Sequence, residues 1–429
     1  MRPRIFVSPS LALFLIPGLC VALGCASESQ TTVEWDGAIR DSADVLIVVN
    51  HGTPLWSEEE RWTLSEVLRI GTFEGEPEYQ FGNISGFAPL SDGRIAITDD
   101  MAQNLRYFSP EGVHLRTVGR AGSGPREFGS ATLNVLVGPG DTLVVMDWAN
   151  MHTQVFGPDG EWLDSWRFAP EGGKQLSRWD TAPSGLIINV LTPLQTPDTP
   201  VSDTLDAVVV RDVRGRIQDT LAWLPSTRTL SLRGGRQELR FYSARPICDL
   251  RWNGGLVVGQ TDRYRLEWLD PDGDLERIVV LERDRIPFDD SEQAATMRLF
   301  ESVWDKWNMS PERRAFVTST LRFENHYPAY RTFRHGPRGT LWVQQVRPIG
   351  ALTPEEVEAE EGVYPWPYGS TKWDVFDAEG RYLGVVDIPG DPKLILFYGD
   401  RLYGVWKDEL DVQHLVVMEI DGLPPVEAG

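Results

Sequence analysis

Apolar and polar residues alternate along this chain in short runs, and tight-turn residues separate the runs. From Gly86 the sequence reads "GFAPLSDGRIAITDDMAQNLRYFSPEGVHLRTVG", and from Leu133 it reads "LNVLVGPGDTLVVMDWANMHTQVFGPDGEWLDSW". Each stretch divides into four strand-length segments. The first two meet at a Gly/Asp turn (Ser91-Asp92-Gly93, then Pro139-Gly140-Asp141), and the last two at a Pro-x-Gly turn (Pro110-Glu111-Gly112, then Pro158-Asp159-Gly160). Period-two runs joined by such turns predict antiparallel hairpins. Asp99, Phe108, Pro110, Gly112 and Leu115 recur as Asp147, Phe156, Pro158, Gly160 and Leu163, each at an offset of 48. This is a repeat.

Worn copies follow. The first turn returns at Pro183-Ser184-Gly185, Asn253-Gly254-Gly255, Pro337-Arg338-Gly339 and Tyr398-Gly399-Asp400. The last turn returns at Val213-Arg214-Gly215, Pro271-Asp272-Gly273, Ala378-Glu379-Gly380 and Ile420-Asp421-Gly422. Four strands in a period of roughly 40–50 residues define a propeller blade, so the chain is all-β, with six four-stranded blades.

The sixth unit has three strands ("KLILF", "RLYGVW", "QHLVVMEI") and no fourth, while "LRIGTFEGEPEYQFG" at Leu68–Gly82 is a fourth strand without a blade of its own. Val67–Ile70 is therefore predicted to complete the last blade and close the ring, leaving no edge open. The propeller is expected over 41–424.

The first two units resemble NHL repeats: "ITDDMAQNLRYFSPEG" and "VMDWANMHTQVFGPDG" follow that pattern of an Asp, a turn, an alternating strand and Phe-x-x-x-Gly. Over Asp41–Gly422 the chain is similar to bacterial six-bladed propeller lipoproteins, carried by "DSADVLIVVNHGTPLW", "GSGPREFG" and "WDVFDAEGRYLG". Some six-bladed propellers are lactonases, esterases or lyases with a divalent metal over the channel. The resemblance thus implies a metal-dependent hydrolase or lyase as the alternative to a binding protein. Asp99, Asp147 and Asn150 could be ligands of such a metal, but their repeat spacing points to turn capping in successive blades.

The long connections all fall between second and third strands or between blades, at 192–204, 225–244, 282–328 and 348–370. In a propeller these emerge on one face, and a face that collects insertions is the expected binding face. The segment 289–325 reads as a helical hairpin, capped at Asp290 and Ser310, with Met297, Phe300 and Trp304 on one stripe. Those aromatics are expected to dock the hairpin on the ring; the sharper expectation is a lid with Trp307 facing a ligand. The insertion "LTPEEVEAEEGVYPWPYGS" places Tyr364, Trp366 and Tyr368 among prolines, a pattern of stiff contact groups. With Trp148 and His152, these are the candidate contact residues for a protein or small-molecule partner at the loop-rich face.

The N-terminus adds an address. Arg2 and Arg4 precede an apolar stretch from Ile5 to Leu23, and "ALGC" ends at Cys25. This is an export signal over 1–25, and "ALGC" resembles the lipobox of bacterial lipoproteins, which implies lipid attachment at Cys25. Residues 26–40 are expected to be a polar leash, so the membrane is met only through that anchor. The net charge of −22 becomes −24 once Arg2 and Arg4 leave, and a chain this acidic repels nucleic acid.

Catalytic motifs are absent: there is no Gly-x-Ser-x-Gly, no His-Glu-x-x-His and no Walker loop. The Gly-rich "GRAGSG" precedes no helix and reads as an inter-blade turn, and "DPDGDLE" reads as a hairpin turn rather than a calcium loop. Cys248, the one cysteine outside the signal, reads as a small core hydrophobe. No catalytic residue, metal or cofactor is assigned.

Overall fold

The computed structural model describes residues 34–424, apart from 132, 168–173, 182–186, 194–204, 213–215, 226–229, 234–235, 252–253, 360–367 and 391. Six antiparallel sheets follow one another around an axis. The first blade comprises Ile84–Pro89, Ile95–Asp99, Asn104–Phe108 and His114–Val118, and the second Leu133–Val137, Leu143–Asp147, His152–Phe156 and Trp162–Arg167. The third spans Lys174–Pro225, the fourth Pro246–Leu281 and the fifth Thr332–Asp387.

The sixth blade takes Leu394–Tyr398, Arg401–Lys407 and Gln413–Asp421 from the C-terminus and Thr63–Ile70 from the N-terminus. The last two pair antiparallel from Thr63↔Asp421 to Ile70↔Leu415. Closure by the orphan strand is as the sequence predicts.

Burial follows from stacking one sheet on the next. In the first two blades every residue of Ile95–Asp99, Leu143–Asp147 and His152–Phe156 is buried, whereas the outer strand His114–Val118 is largely exposed. A sheet covered on both faces must be apolar on both, which explains the near-continuous hydrophobic runs of the inner strands. The repeated glycine of the Pro-x-Gly turn has a matching cause. Gly112 sits at φ +81°, and a Cβ there would lie 2.9 Å from Leu68 of the closing strand; Gly160 sits at φ +80°, where a Cβ would lie 2.8 Å from Val118 of the preceding blade. Each such turn is pressed against its neighbour's outer strand in a left-handed conformation that glycine adopts at least cost.

The residues before the closing strand are ordered further than the sequence suggests. Gly37–Ser42 and Val45–Asn50 form a hairpin, and Val45–Asn50 pairs in parallel with Leu275–Leu281, widening the fourth blade to six strands. The predicted leash therefore becomes a strand at Gly37, because "VLIVV" has an open outer edge to pair with. Beyond it the chain crosses the fifth blade, where the Leu55 and Trp56 amides donate to the Tyr382 and Leu383 carbonyls (3.1 and 2.8 Å). The N-terminal segment thus straps three blades from outside.

Asn50 pins this strap and is 1% exposed. Its Oδ1 accepts from Trp35 Nε1 (2.9 Å) and the Tyr382 amide (2.7 Å), and its Nδ2 donates to the carbonyls of Val280 (3.1 Å) and Gly380 (3.0 Å).

Described parts of three insertions, 225–244, 282–328 and 348–370, pack into one accessory layer. Leu230–Arg233 and Arg236–Phe241 form a hairpin, to which Leu321–Phe323 adds in parallel. Helix α1 (Asp290–Lys306) and helix α2 (Pro311–Thr320) complete it. The cap of α1 is Asp289, one residue before the predicted one; its side chain accepts from the amides of Ser291 (2.9 Å) and Glu292 (3.1 Å). Ser310 caps α2 as expected. Phe300 and Trp304 are buried with Phe241, Tyr242, Phe288 and Tyr327, so the helical stripe docks the hairpin. Glu292 Oε2 accepts from Tyr327 Oη (2.6 Å) and the Gly350 amide (3.0 Å), fastening α1 to the fifth blade's insertion.

Candidate functional site in the axial channel

Strand order puts the first strand of each blade innermost, so these strands wall the axis. A cavity of about 760 Å³ runs among those of the first, second, fourth, fifth and sixth blades. Its wall is mainly apolar, with Phe87, Val135, Leu136, Leu394, Leu396 and Phe397 facing it. Such a lining with a few convergent polar groups is the usual composition of a small-molecule site.

The charged groups come chiefly from the fourth and fifth blades. Their innermost strands end in "CDLRW" and "TFRHG", where the first, second and sixth blades carry apolar residues. Asp249 is 6% exposed and His335 8%. The His335 amide donates to Asp249 Oδ2 (2.7 Å), and His335 Nδ1 lies 3.3 Å from the same oxygen. Arg334 approaches Asp249 Oδ1 at 3.7 Å. A carboxylate only accepts, so Nδ1 is a ring nitrogen that carries a proton, directed at Asp249. Nε2 is buried and has no hydrogen-bond partner.

The other charged groups of the wall have partners. Asp141 accepts from the amide and hydroxyl of Ser91 (3.1 and 2.6 Å), and Arg251 pairs with Glu276. At the opposite ends of the same two strands, Arg245 precedes Pro246 and Arg331 precedes Thr332. Burial, and next the like charge of Arg331, pull the Arg245 guanidinium down to about 10.

Of the described residues singled out from the sequence as contacts, Trp148 alone lines the channel. Asn134, with its amide oriented by its partners, donates to the Ser85 carbonyl (3.2 Å) and accepts from Trp148 Nε1 (3.3 Å). His152 opens the third strand of the second blade and is buried there. Burial depresses its pKa, and the charge of Asp147 opposes that shift. Trp307 ends α1 and is 59% exposed. Tyr368 is half-buried and packs against the core of the accessory layer. Tyr364, Trp366 and Cys25 lie outside the described residues.

Asp99 and Asp147 act as turn caps. Asp99 accepts from the amides of Gly82 (2.9 Å), Asn83 (3.2 Å) and Ala102 (3.0 Å) and pairs with the buried Arg106 (3.2 Å). Asp147 accepts from the amides of Gly129 (2.8 Å) and Asn150 (3.0 Å), and Asn150 Nδ2 donates to it as well (2.7 Å). Among the described residues no three His, Cys, Asp or Glu side chains cluster as metal ligands. Cys248 is buried in an apolar cluster.

The charged residues of this pair, though not their pairing, carried a signal in the sequence. A propeller's first strands are recognisable from their turns, and charged residues within such a strand must face the axis or a neighbouring blade.

No family model and no curated protein matches this sequence. Solved structures do. A member of the DUF4221 family from Bacteroides vulgatus superposes with a TM-score of 0.53 at 13% identity, covering 85% of this chain and 99% of that one. A protein described as a putative exported protein from Bacteroides fragilis gives 0.47 at 12% identity, covering 87% and 99%. Virginiamycin B lyase from Staphylococcus aureus gives 0.37 at 10%, covering 83% and 99%. At 13% identity the likeness to the DUF4221 structure is one of fold alone. No helix among the described residues is long and apolar enough to cross a membrane.

Proposed function

We propose that this protein is an exported, lipid-anchored propeller that binds a small, mainly apolar molecule in its axial channel. The observation that carries the reading is the apolar cavity of about 760 Å³ with a buried Asp249–His335 pair in its wall. The signal and lipobox-like "ALGC" support export and attachment at Cys25, and the NHL-like first two blades fit the propeller lipoproteins the chain resembles. A protein partner at the loop-rich face is the second reading, favoured by Trp307 and Phe316, which stand exposed on the hairpin at 59% and 60%.

The test is a neutral apolar dye, N-phenyl-1-naphthylamine, titrated into the protein and followed by fluorescence. Saturable binding at one site is expected, weakened at least tenfold by Leu136→Trp, which fills the channel from the second blade. Absent saturation, or equal affinity in a folded Leu136→Trp variant, overturns the channel reading.

A further inference from the structure

The strap fixes where the chain leaves the propeller. Gly37 pairs with Asn50, and Asn50 pairs with Leu281, the last residue of the fourth blade's own outer strand. The Glu282 amide donates to the Asn50 carbonyl (2.8 Å), and the His51 amide to the Asp36 carbonyl (3.1 Å). Asp36 and Gly37 therefore lie at the loop-rich face, beside the start of the connection that carries α1 and α2. Eight residues, 26–33, separate Cys25 from Glu34, and a chain of that length reaches at most about 32 Å when fully extended. To set the opposite face on a membrane, the leash would first have to run back along the blade. The seven residues of Leu275–Leu281 span roughly 20 Å, most of that reach. An anchor at Cys25 thus favours the loop-rich side.

Exposed apolar side chains point the same way. Phe73, Met101, Trp307, Phe316 and Leu410 are each more than half exposed, and each lies in a connection of the loop-rich face. Among the described residues, the connections of the opposite face expose one such side chain, Val113. Exposed hydrophobic residues are ordinary singly; here they gather on the anchored face. Tryptophan and phenylalanine are residues that settle at a membrane–water boundary, and the exposed Arg313 of the same hairpin suits lipid phosphate. Against this, Glu409 and Asp411 flank Leu410 and the net charge is −22, so an anionic surface repels the free chain. A short tether offsets that repulsion by holding the face at a local concentration of about millimolar.

We infer that the loop-rich face lies against the phospholipid surface that holds the acyl chains of Cys25, with Trp307 and Phe316 seated at its headgroups. The inference rests on the lipid anchor proposed above and adds which side of the propeller meets the membrane.

The experiment uses the full lipidated chain in vesicles of phosphatidylethanolamine and phosphatidylglycerol, with a spin-labelled lipid as quencher. A fluorophore is attached at Ala315→Cys, next to Phe316, or at Glu111→Cys, in the first blade's Pro-x-Gly turn on the opposite face. Both positions are exposed, and burial shields Cys248 from the label. Flotation with the vesicles reads the anchor, and quenching reads the face. Quenching at position 315 should exceed that at position 111 about threefold or more. Adding Trp307→Ser and Phe316→Ser to the Ala315→Cys chain should cut the excess by about half or more, with flotation and melting temperature unchanged.

Failure to float would overturn the anchor and the orientation with it. Flotation with equal quenching at the two positions, or with more at position 111, would overturn the orientation and leave the anchor in place. Flotation with neither position quenched would overturn it too, and would leave the loop-rich face to a protein partner. An excess untouched by the two serine replacements would remove Trp307 and Phe316 from the lipid contact.

Discussion

Replacing Asn50 with Ala tests whether the N-terminal strap is part of the ring or an ornament on it. The native amide makes four hydrogen bonds, two of them to atoms of the fifth blade (the Tyr382 amide and the Gly380 carbonyl). Truncation leaves the Tyr382 amide without that acceptor in a residue only 2% exposed, a loss of about 1–3 kcal/mol. The Val280 and Gly380 carbonyls can each use a second lone pair, and half-buried Trp35 can turn toward water. We assign these three about 1 kcal/mol together, since under-satisfied carbonyls are tolerated better than amides.

The expected total is therefore about 2–4 kcal/mol. Unfolding entropy near 2.1 cal/mol/K per residue makes that a fall of only about 2–5 °C in a chain this long. Denaturant titration is the better assay, because the midpoint moves with the full free energy at constant slope. Hydrogen exchange at the Tyr382 amide should accelerate by a larger factor than at amides of the second blade. A loss below about 0.5 kcal/mol with unchanged Tyr382 exchange would refute the pin.

Removing residues through Ile70 should abolish cooperative unfolding, since the sixth blade loses its outer strand, whereas removal through Val33 should leave the melt unchanged; circular dichroism melts distinguish them. A cut through Trp35 should be mildly destabilising, because it takes one partner from Asn50. Stability should fall as pH rises above 10, the ordinary tyrosine value: burial pushes Tyr242 up to about 12 and raises Tyr264, Tyr327, Tyr330 and Tyr382 as well. These phenols stay neutral in the fold while their unfolded counterparts ionise. Tyrosinate absorbance should then rise together with unfolding, and a melting temperature that is flat from pH 9 to 12 would contradict this. Cys25→Ala should move the protein from the membrane to the soluble fraction of its host, and an unchanged partition would remove the lipid anchor from the proposal.

What the sequence determined by itself is whatever a local pattern repeats. Alternation and turn chemistry set the strands; the offset between Asp99 and Asp147 set the blade; the unmatched strand at Val67–Ile70 set the closure. These features are legible because each is enforced within a few residues, by period-two burial or by a turn that admits little besides glycine. The docking stripe of α1 was legible for the same reason, at helical spacing.

The tertiary structure alone decided what meets across the ring. Val45–Asn50 reads as a strand, but nothing local names the fourth blade's outer edge as its partner. Asp249 and His335 stand 86 residues apart, and nothing local names either as the other's partner. Only the stacking of neighbouring blades sets one carboxylate against one imidazole. Trp307, expected from the sequence to face a ligand beneath a lid, stands 59% exposed just past the end of α1. Contacts between blades depend on curvature and on which strand is innermost, and both arise from the closed ring rather than from any one segment of it.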